Sequence, residues 1–391
     1  MTYDLIIVGG GIVGATLAIA LKDSALRVAL IDSAPFNTKE DARLIALNDS
    51  SVCLFQNLDC WKTLAPHASA IEQIHVSHRG HLGITRIAAC DVRLSALGYV
   101  VPARHINTAL YTALENTKNI ALVRPATVQA ISQNSDEVTL TLTSAKKFIA
   151  KNIVAADGSY STLRDLLSIP TQIIDYQQSA LVTITELQRP HQQIAYERFQ
   201  EKGAIAMLPL PNQRAATIWT SDNETISHLL KLTDAEFLAT LQKQFGYRLG
   251  RLTKTHARTS YPLKMLRAEQ QLKQRVLFIG NAAHTLHPIA AQGLNLALYE
   301  IAILAELLQK NTFTLDQLPK YNEQQNFSQQ LSHQLTWLFS SDFFIFNIAR
   351  SLGMIGFDLF PTLKKRFALR SIGKKGNIPR LLVRKGPYAY V

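Results

Sequence analysis

Residues Tyr3–Ala34 read YDLIIVGGGIVGATLAIALKDSALRVALIDSA. The apolar run Tyr3 to Val8 has the pattern of a buried strand, the glycines that of a turn, and Ile12 to about Lys22 that of a helix. Arg27 to Ile31 follows as a second strand that ends on Asp32. In this βαβ unit Gly9, Gly11 and Gly14 take the G-x-G-x-x-G pattern, and an acid stands eighteen residues after the last glycine. Gly9 allows the tight turn, Gly11 lets a pyrophosphate approach the backbone, and Gly14 lets helix and strand pack closely. The helix N-terminus offers amide donors and a positive dipole to the phosphates, and Asp32 accepts hydrogen bonds from ribose hydroxyls. A glycine turn that binds nothing is the weaker reading, given strand, spacing and acid together.

The 391 residues and 47% hydrophobic content allow two domains, or one large intertwined unit, around a sizeable core. Cys53, Cys60 and Cys90 are odd in number and lack metal-ligand spacing, so neither a disulfide framework nor a metal site is expected. That cysteine usage favours a reducing compartment. Leu5 to Leu21 is apolar throughout, but Asp4 sits where a signal peptide would be positive and glycines interrupt the run. Phe343 to Phe360 is broken by Arg350 and Asp358, so no transmembrane helix is expected. The formal charge of +12 raises nucleic acid or an anionic membrane as partners. Its excess lies in the basic stretch Lys364 to Lys385, which has no acid after Asp358, and no nucleic-acid recognition motif accompanies it.

Two further junctions share the strand-to-loop character of the first. Val138 to Ala156 alternates as a hairpin and then becomes a buried strand that ends in ADGSYSTLR, with Asp157, Gly158, Ser161 and Arg164. Val276 to Leu308 runs from a strand through GNAAHTLHPIAAQGLN into a helix whose apolar residues recur at helical spacing. Three such junctions with small residues suggest three contacts along one elongated ligand.

The combination GGGIVG…ID, ADGSYSTLR and GNAAHTLHPIAAQGLN resembles the flavoprotein aromatic hydroxylases of the para-hydroxybenzoate hydroxylase type, over essentially the whole chain. Within them it is most similar to the ubiquinone-biosynthesis branch. The stretches IHVSHRGHLG, YERFQEKGAIAMLPL, FGYRLGRL and SYPL look most like the members that act on 2-polyprenyl-6-methoxyphenol. The resemblance implies an α/β fold in which a Rossmann-like FAD-binding domain (1–73, 101–175 and 262–330) interleaves with a β-sheet substrate domain (74–100 and 176–261). A C-terminal helical basic segment (331–391) follows.

It also implies bound FAD, NAD(P)H as a transient reductant, and O2 as the source of one oxygen placed on an electron-rich phenol ring. No second G-x-G-x-x-G unit exists to hold a nicotinamide in a domain of its own. Carried over by motif, the cofactor-binding positions beyond Gly9, Gly11, Gly14 and Asp32 are Arg43, Arg104, Val128, Asp157, Gly280, Asn281, Pro288, Gly293, Leu294 and Asn295. The helix that follows the third motif would point its N-terminus at the flavin's pyrimidine edge, where reduced flavin carries negative charge.

Four positions depart from the usual pattern. Asn281 replaces an aspartate, Ala291 replaces a glycine, and Tyr299-Glu300 stands where the branch more often has Arg-Asp. His284 and His287 invite a role in acid–base chemistry, but a packed structural donor is the stronger reading, and the residues name no catalytic base. Tyr196, Phe199, Met207, Leu208 and Trp219 are core by default, with a few available to line an apolar pocket.

The cysteine usage and the absence of an expected transmembrane helix imply a cytoplasmic protein, and a polyprenyl phenol as substrate leaves peripheral placement on the inner face of the membrane open. The basic C-terminal segment suits either an anionic lipid surface or packing on the protein's own domain or on partner subunits. Other ubiquinone-biosynthesis proteins and a second copy of the chain are the partners left open.

Overall fold

The computed structural model describes residues 2–35, 41, 43–80, 84–285, 292–309, 365, 369 and 378–384. Strand β1 (Thr2–Val8), helix α1 (Ile12–Ala20) and strand β2 (Val28–Ile31) form the expected βαβ unit. The helix stops two residues short of Lys22 because the amides of Leu21 and Lys22 turn back onto Ala18 and Ile19.

The chain continues through β3 (Leu44–Asn48), α2 (Asp49–Asn57), α3 (Trp61–Leu64), β4 (Ser69–Ile71), β5 (Gln73–His78) and β6 (Ile84–Ala88). Next come β7 (Gly98–Pro102), α4 (Ala103–Glu115), β8 (Ile120–Val123), β9 (Val128–Gln133), β10 (Val138–Leu142), β11 (Lys147–Ala155) and α5 (Thr162–Leu166). The long strand β12 (Thr171–Leu187) leads to β13 (Ile194–Gln200), β14 (Gly203–Leu210), β15 (Arg214–Asp222), α6 (Asn223–Lys231) and α7 (Asp234–Phe245). Last are β16 (Leu252–Thr255), β17 (Thr259–Ala268), β18 (Leu272–Lys273), β19 (Val276–Phe278), β20 (His284–Thr285) and α8 (Gln292–Gln309).

The first sheet has the order β18-β19-β11-β1-β2-β8, and the β9–β10 hairpin joins it at β11. Its strands from β19 to β8 are parallel, so both faces must be covered. Leu5 and Ile7 of β1 point into the core made with α1, α4 and α8. Ile6 and Val8 point into the core made with the hairpin and α5. This alternation of faces is why the strand reads as uninterrupted apolar sequence.

The second sheet has the order β20-β17-β12-β15-β14-β13-β5-β6, with β16 on β12. Helices α6 and α7 cover one face, α6 through Ile226 and Leu229 and α7 through Phe237 and Phe245, against Leu181, Ile205, Met207 and Trp219. The opposite face meets a small third sheet, β3-β7-β4, where Ile71 and Val100 pack on Ala195 and Ala216. The strand β7, inside which the expected boundary between residues 100 and 101 falls, pairs with β3 and β4. The β14–β15 hairpin turns at Pro211–Gln213, as the residues suggest, with φ of +62° at Asn212 and +52° at Gln213.

At the C-terminal end Leu382 is 1% exposed within the core that α1, α2 and α8 share, one of the placements the sequence leaves open for the segment after 330. The Asn57 side chain donates to the carbonyls of Leu381 and Val383 at 2.7 and 2.8 Å, so an isolated apolar pair in a basic tail finds apolar surface on α2. Among the described residues, no helix is long and apolar enough to cross a membrane.

Candidate cofactor site and the facing cleft

Register brings the three motifs together. Val8 of β1 is level with Ile31 of β2 and with Ala155 of β11, and Ala155 is level with Phe278 of β19. The glycine turn, Asp32, the Ala156–Gly158 loop and Gly280 therefore leave the carboxyl ends of adjacent strands side by side, where open α/β sheets bind ligands.

Contacts at these loops are close. A side chain at Gly9, where φ is +105°, would put its Cβ 2.3 Å from the Ala156 carbonyl oxygen, so this glycine lets the first motif touch the second. At Gly14 a Cβ would lie 1.9 Å from the Gly9 oxygen. The buried Arg164 joins the second motif to the third, donating to Ala282 O at 3.1 Å and to Ser159 O at 2.7 Å.

The crevice fits a dinucleotide on three independent counts. A Cβ at Gly11 or Gly293 would meet no protein atom within 4 Å, so nothing in the protein itself demands small residues there, whereas Gly158, equally open, is favoured by its φ of +84°. Helix α1 starts at Gly11 with no side-chain cap and no acid in its first turn, which leaves its amides and dipole available to an anion. Asp157 accepts from the Leu163 amide at 3.1 Å through Oδ2, while Oδ1 is buried with no protein partner. Burial pushes the Asp157 carboxyl above its usual range, against the hydrogen bonds from Ser161 and Leu163.

Asp32 is half-buried, and its Oδ1 accepts from the Ala34 amide at 3.1 Å. Its Oδ2 would be 2.4 Å from a Cβ on Gly10. Val128, 6% exposed, opens β9 within the core beneath Ile31. Arg43 and Arg104 meet at the start of α4, where the Ala103 amide donates to Arg43 O at 2.8 Å. Arg43 is exposed and holds Asp41 through two hydrogen bonds of 2.8 and 2.7 Å, which pulls the Asp41 carboxyl below its usual range. Arg104 is exposed, with Nε 3.3 Å from the His105 ring.

In the third motif Gly280 takes φ of +54°, with the Val13 side chain 3.2 Å from where a Cβ would stand, and Asn281 is exposed. Leu294 and Asn295 lie in the first turn of α8. The Asn295 side chain is occupied in holding that helix: it accepts from the Asn48 amide at 2.9 Å and from Ser51 at 2.8 Å, and donates to Ala46 O at 2.8 Å. Pro288 and His287 lie outside the described residues.

His284 has the structural role that the sequence favours. It is 4% exposed, and its Nε2 lies 3.1 Å from a carboxylate oxygen of Glu300, itself 1% exposed, in an ionic contact without hydrogen-bond alignment. Burial opposes its protonation, but the Glu300 carboxylate outweighs burial and holds the imidazole above its ordinary value. The departure at Glu300 thus supplies the partner of His284 and ties α8 to the preceding loop.

Sequence reasoning missed Tyr111 and Arg124. The buried Tyr111 hydroxyl donates to Gly10 O at 2.7 Å, and the Arg124 guanidinium lies 4.3 Å from the Tyr111 ring centroid. Burial pushes the Tyr111 hydroxyl up to about 12, so it remains a donor bracing the glycine turn. Tyr111 sits in an ordinary amphipathic helix pattern, and nothing in the sequence marks it.

Opposite the crevice, the second sheet divides the aromatic candidates by face. Tyr196, Met207 and Trp219 point toward α6 and α7 and belong to the core there. Phe199 and Leu208 lie on the other face, together with half-buried Val182, Ala206 and Ile218.

A parallel sheet with a glycine turn, uncapped amides and an orphaned buried carboxylate at its carboxyl edge defines a dinucleotide-binding α/β protein, here with a second sheet facing the site. The family described as "FAD binding domain" matches residues 2–313. The chain belongs to that family, within the superfamily of FAD-dependent aromatic hydroxylases, and its cofactor is FAD.

Among relatives, it is 31% identical to ubiquinone hydroxylase UbiL of Rhodospirillum rubrum, over 98% of this chain and 93% of that protein. It is 28% identical to 3-demethoxyubiquinol 3-hydroxylase of Escherichia coli, over 78% of this chain and 79% of the other. In fold it is similar to p-nitrophenol 4-monooxygenase PnpA from Pseudomonas putida, with a TM-score of 0.78 at 16% identity, covering 96% of this chain and 99% of that one.

Proposed function

We propose that this chain is a monooxygenase that hydroxylates the aromatic ring of a polyprenylated phenol on the route to ubiquinone, with 2-polyprenyl-6-methoxyphenol as the substrate. The observation that carries the reading is an FAD crevice faced by an apolar cleft, in a chain related over 98% of its length to a ubiquinone hydroxylase. A ring C–H, O2, NAD(P)H and a proton become a ring C–OH, water and NAD(P)+. FAD, when bound, supplies hydride acceptance and O2 activation.

The chain's own residues bind, orient and exclude water. Gly9, Gly11, Gly14 and the α1 amides hold the pyrophosphate, Asp32 the ribose, and the backbone at Val128 lies along the adenine. Arg43 and Arg104 serve the phosphates and ribityl chain, and Asp157, Gly280 and Asn281 the ribityl hydroxyls. Gly293, Leu294 and Asn295 give the pyrimidine edge the amides and dipole of α8. The half-buried apolar row on the second sheet takes the flat ring and the first part of the prenyl chain. Because that chain resides in a bilayer, peripheral contact with the inner face of the membrane belongs to the same proposal.

The test is mass spectrometry of lipid extracts from cells lacking this protein. A prenylphenol short of a single hydroxyl should accumulate, and its mass and ring position identify substrate and product. An unchanged quinone profile in cells with no other ring hydroxylase sinks the reading.

A further inference from the structure

The floor of the cleft can be read from register. On β13, Glu197 is level with Ala206 of β14 and Val76 of β5. Val76 is in turn level with Thr85, and Ala206 with Ile218, which is level with Val182. Residues level in register share a face, so these six side chains form one row across the second sheet. It is the face on which Ala195, two residues earlier in β13, meets Ile71 and Val100 of the third sheet. From Val76 to Val182 every member is half-buried, whereas the corresponding row on the other face, Ile205, Trp219 and Leu181, is buried under α6 and α7. A row that solvent reaches on a face turned toward another domain is the floor of a cleft.

Glu197 is the one ionisable group in that row, and it makes no hydrogen bond or ion pair with any described residue. Its neighbours are apolar: Ala195 and Phe199 on its own strand, Ala206 on β14 and Val76 on β5. On the same face His78 is level with Phe199, Arg214 and Asp222 stand four residues to either side of Ile218 on β15, and Tyr261, on which Arg43 acts, lies further across the sheet. Leu44, Ile71 and Val100 face the sheet from the third sheet without charge. Burial with no compensating charge pushes the Glu197 carboxyl up to about 7. An unpaired acid in an apolar row costs stability and contributes nothing to the fold.

We propose that Glu197 is the catalytic base that takes the phenol proton, an inference that rests on the function proposed above. The phenol O–H breaks, the proton passes to a Glu197 carboxylate oxygen, and the electron pair stays on the phenolate oxygen, enriching the ring carbon that accepts oxygen. After the product leaves, the proton passes to water and the base is restored.

The experiment compares wild-type holoenzyme with Glu197→Gln and Glu197→Asp. A short-chain 2-prenyl-6-methoxyphenol is titrated into the oxidised enzyme while the phenolate absorbance is followed from pH 5 to 9, and turnover is then measured over the same range. In wild type, bound phenolate and kcat should both rise as pH passes about 7, where the carboxyl ionises. In Glu197→Gln the phenolate band should be lost and kcat should fall by about 10²-fold or more, with FAD retained. Glu197→Asp should keep a pH-dependent limb. Glu197→Gln turning over at the wild-type rate, or with the wild-type pH profile, overturns the assignment alone. A wild-type holoenzyme that retains FAD but neither binds nor hydroxylates this phenol sinks the functional reading, and the assignment with it.

Discussion

The two walls of the cleft are built in opposite ways. The first sheet presents backbone: glycines, uncapped amides and one orphaned carboxylate at the ends of parallel strands. The second presents side chains from strand interiors, sorted by face, with aliphatic residues, Phe199 and one unpaired acid toward the cleft and Tyr196 and Trp219 away from it. A wall of backbone tolerates almost no substitution by size, whereas a wall of side chains tolerates change on its open face and little on its closed one.

The glycines give the largest expected effect. Gly14→Val would drive a side chain into the Gly9 carbonyl, 1.9 Å from the Cβ position, and both atoms are fixed by the βαβ unit. Folded protein should not be recovered, by far-ultraviolet dichroism and gel filtration. Gly11→Leu meets no protein atom within 4 Å and sits at an ordinary helix start, so it should fold with an unchanged melting temperature. It should lose FAD affinity by about 10²-fold, equivalent to ~2.7 kcal/mol, in a flavin fluorescence titration. If both variants fold and bind alike, the division between glycines required by the protein and glycines required by the cofactor is wrong.

Adjacent residues of β15 sharpen the second wall. Trp219 is 3% exposed against Phe237, and Trp219→Ala should cost about 3–5 kcal/mol in denaturant unfolding. Its neighbour Ile218 faces the cleft half-buried, so Ile218→Ala should cost about 1 kcal/mol while raising KM for the prenylphenol. Equal stability losses at the two positions would mean that the cleft face is packed closed.

How much was legible in the sequence follows the same division. Gly9, Gly11, Gly14 and Asp32 could be read because a backbone site needs glycine at fixed spacing, and spacing survives in one dimension. The β14–β15 hairpin was legible for a similar reason, its turn residues falling between two alternating runs. Glu197 was not, since YERFQ carries no mark of which residues face the cleft until β13 is paired with β5 and β14. Tyr111 and Arg124 brace the glycine turn from a helix and a loop far along the chain, and the His284–Glu300 pair spans sixteen residues and a loop. Those contacts exist only in three dimensions.

The smallest expected effect lies in the first wall, at the side chain of Asp157. Burial raises its carboxyl in the folded protein, so the ionised form is disfavoured there relative to the unfolded chain. The resulting penalty is absent below the unfolded value of about 3.9 and grows as pH rises through the folded one. In the FAD-free protein, Asp157→Asn should therefore be more stable than wild type at pH 8, by about 1 kcal/mol or less, and equal to it near pH 4. With FAD bound the order should reverse, because the orphaned oxygen then gains ribityl hydroxyl donors that favour its charged form. Melting temperatures of both proteins, with and without FAD at the two pH values, check both signs. An asparagine variant that matches wild type throughout would place Asp157 outside the cofactor site.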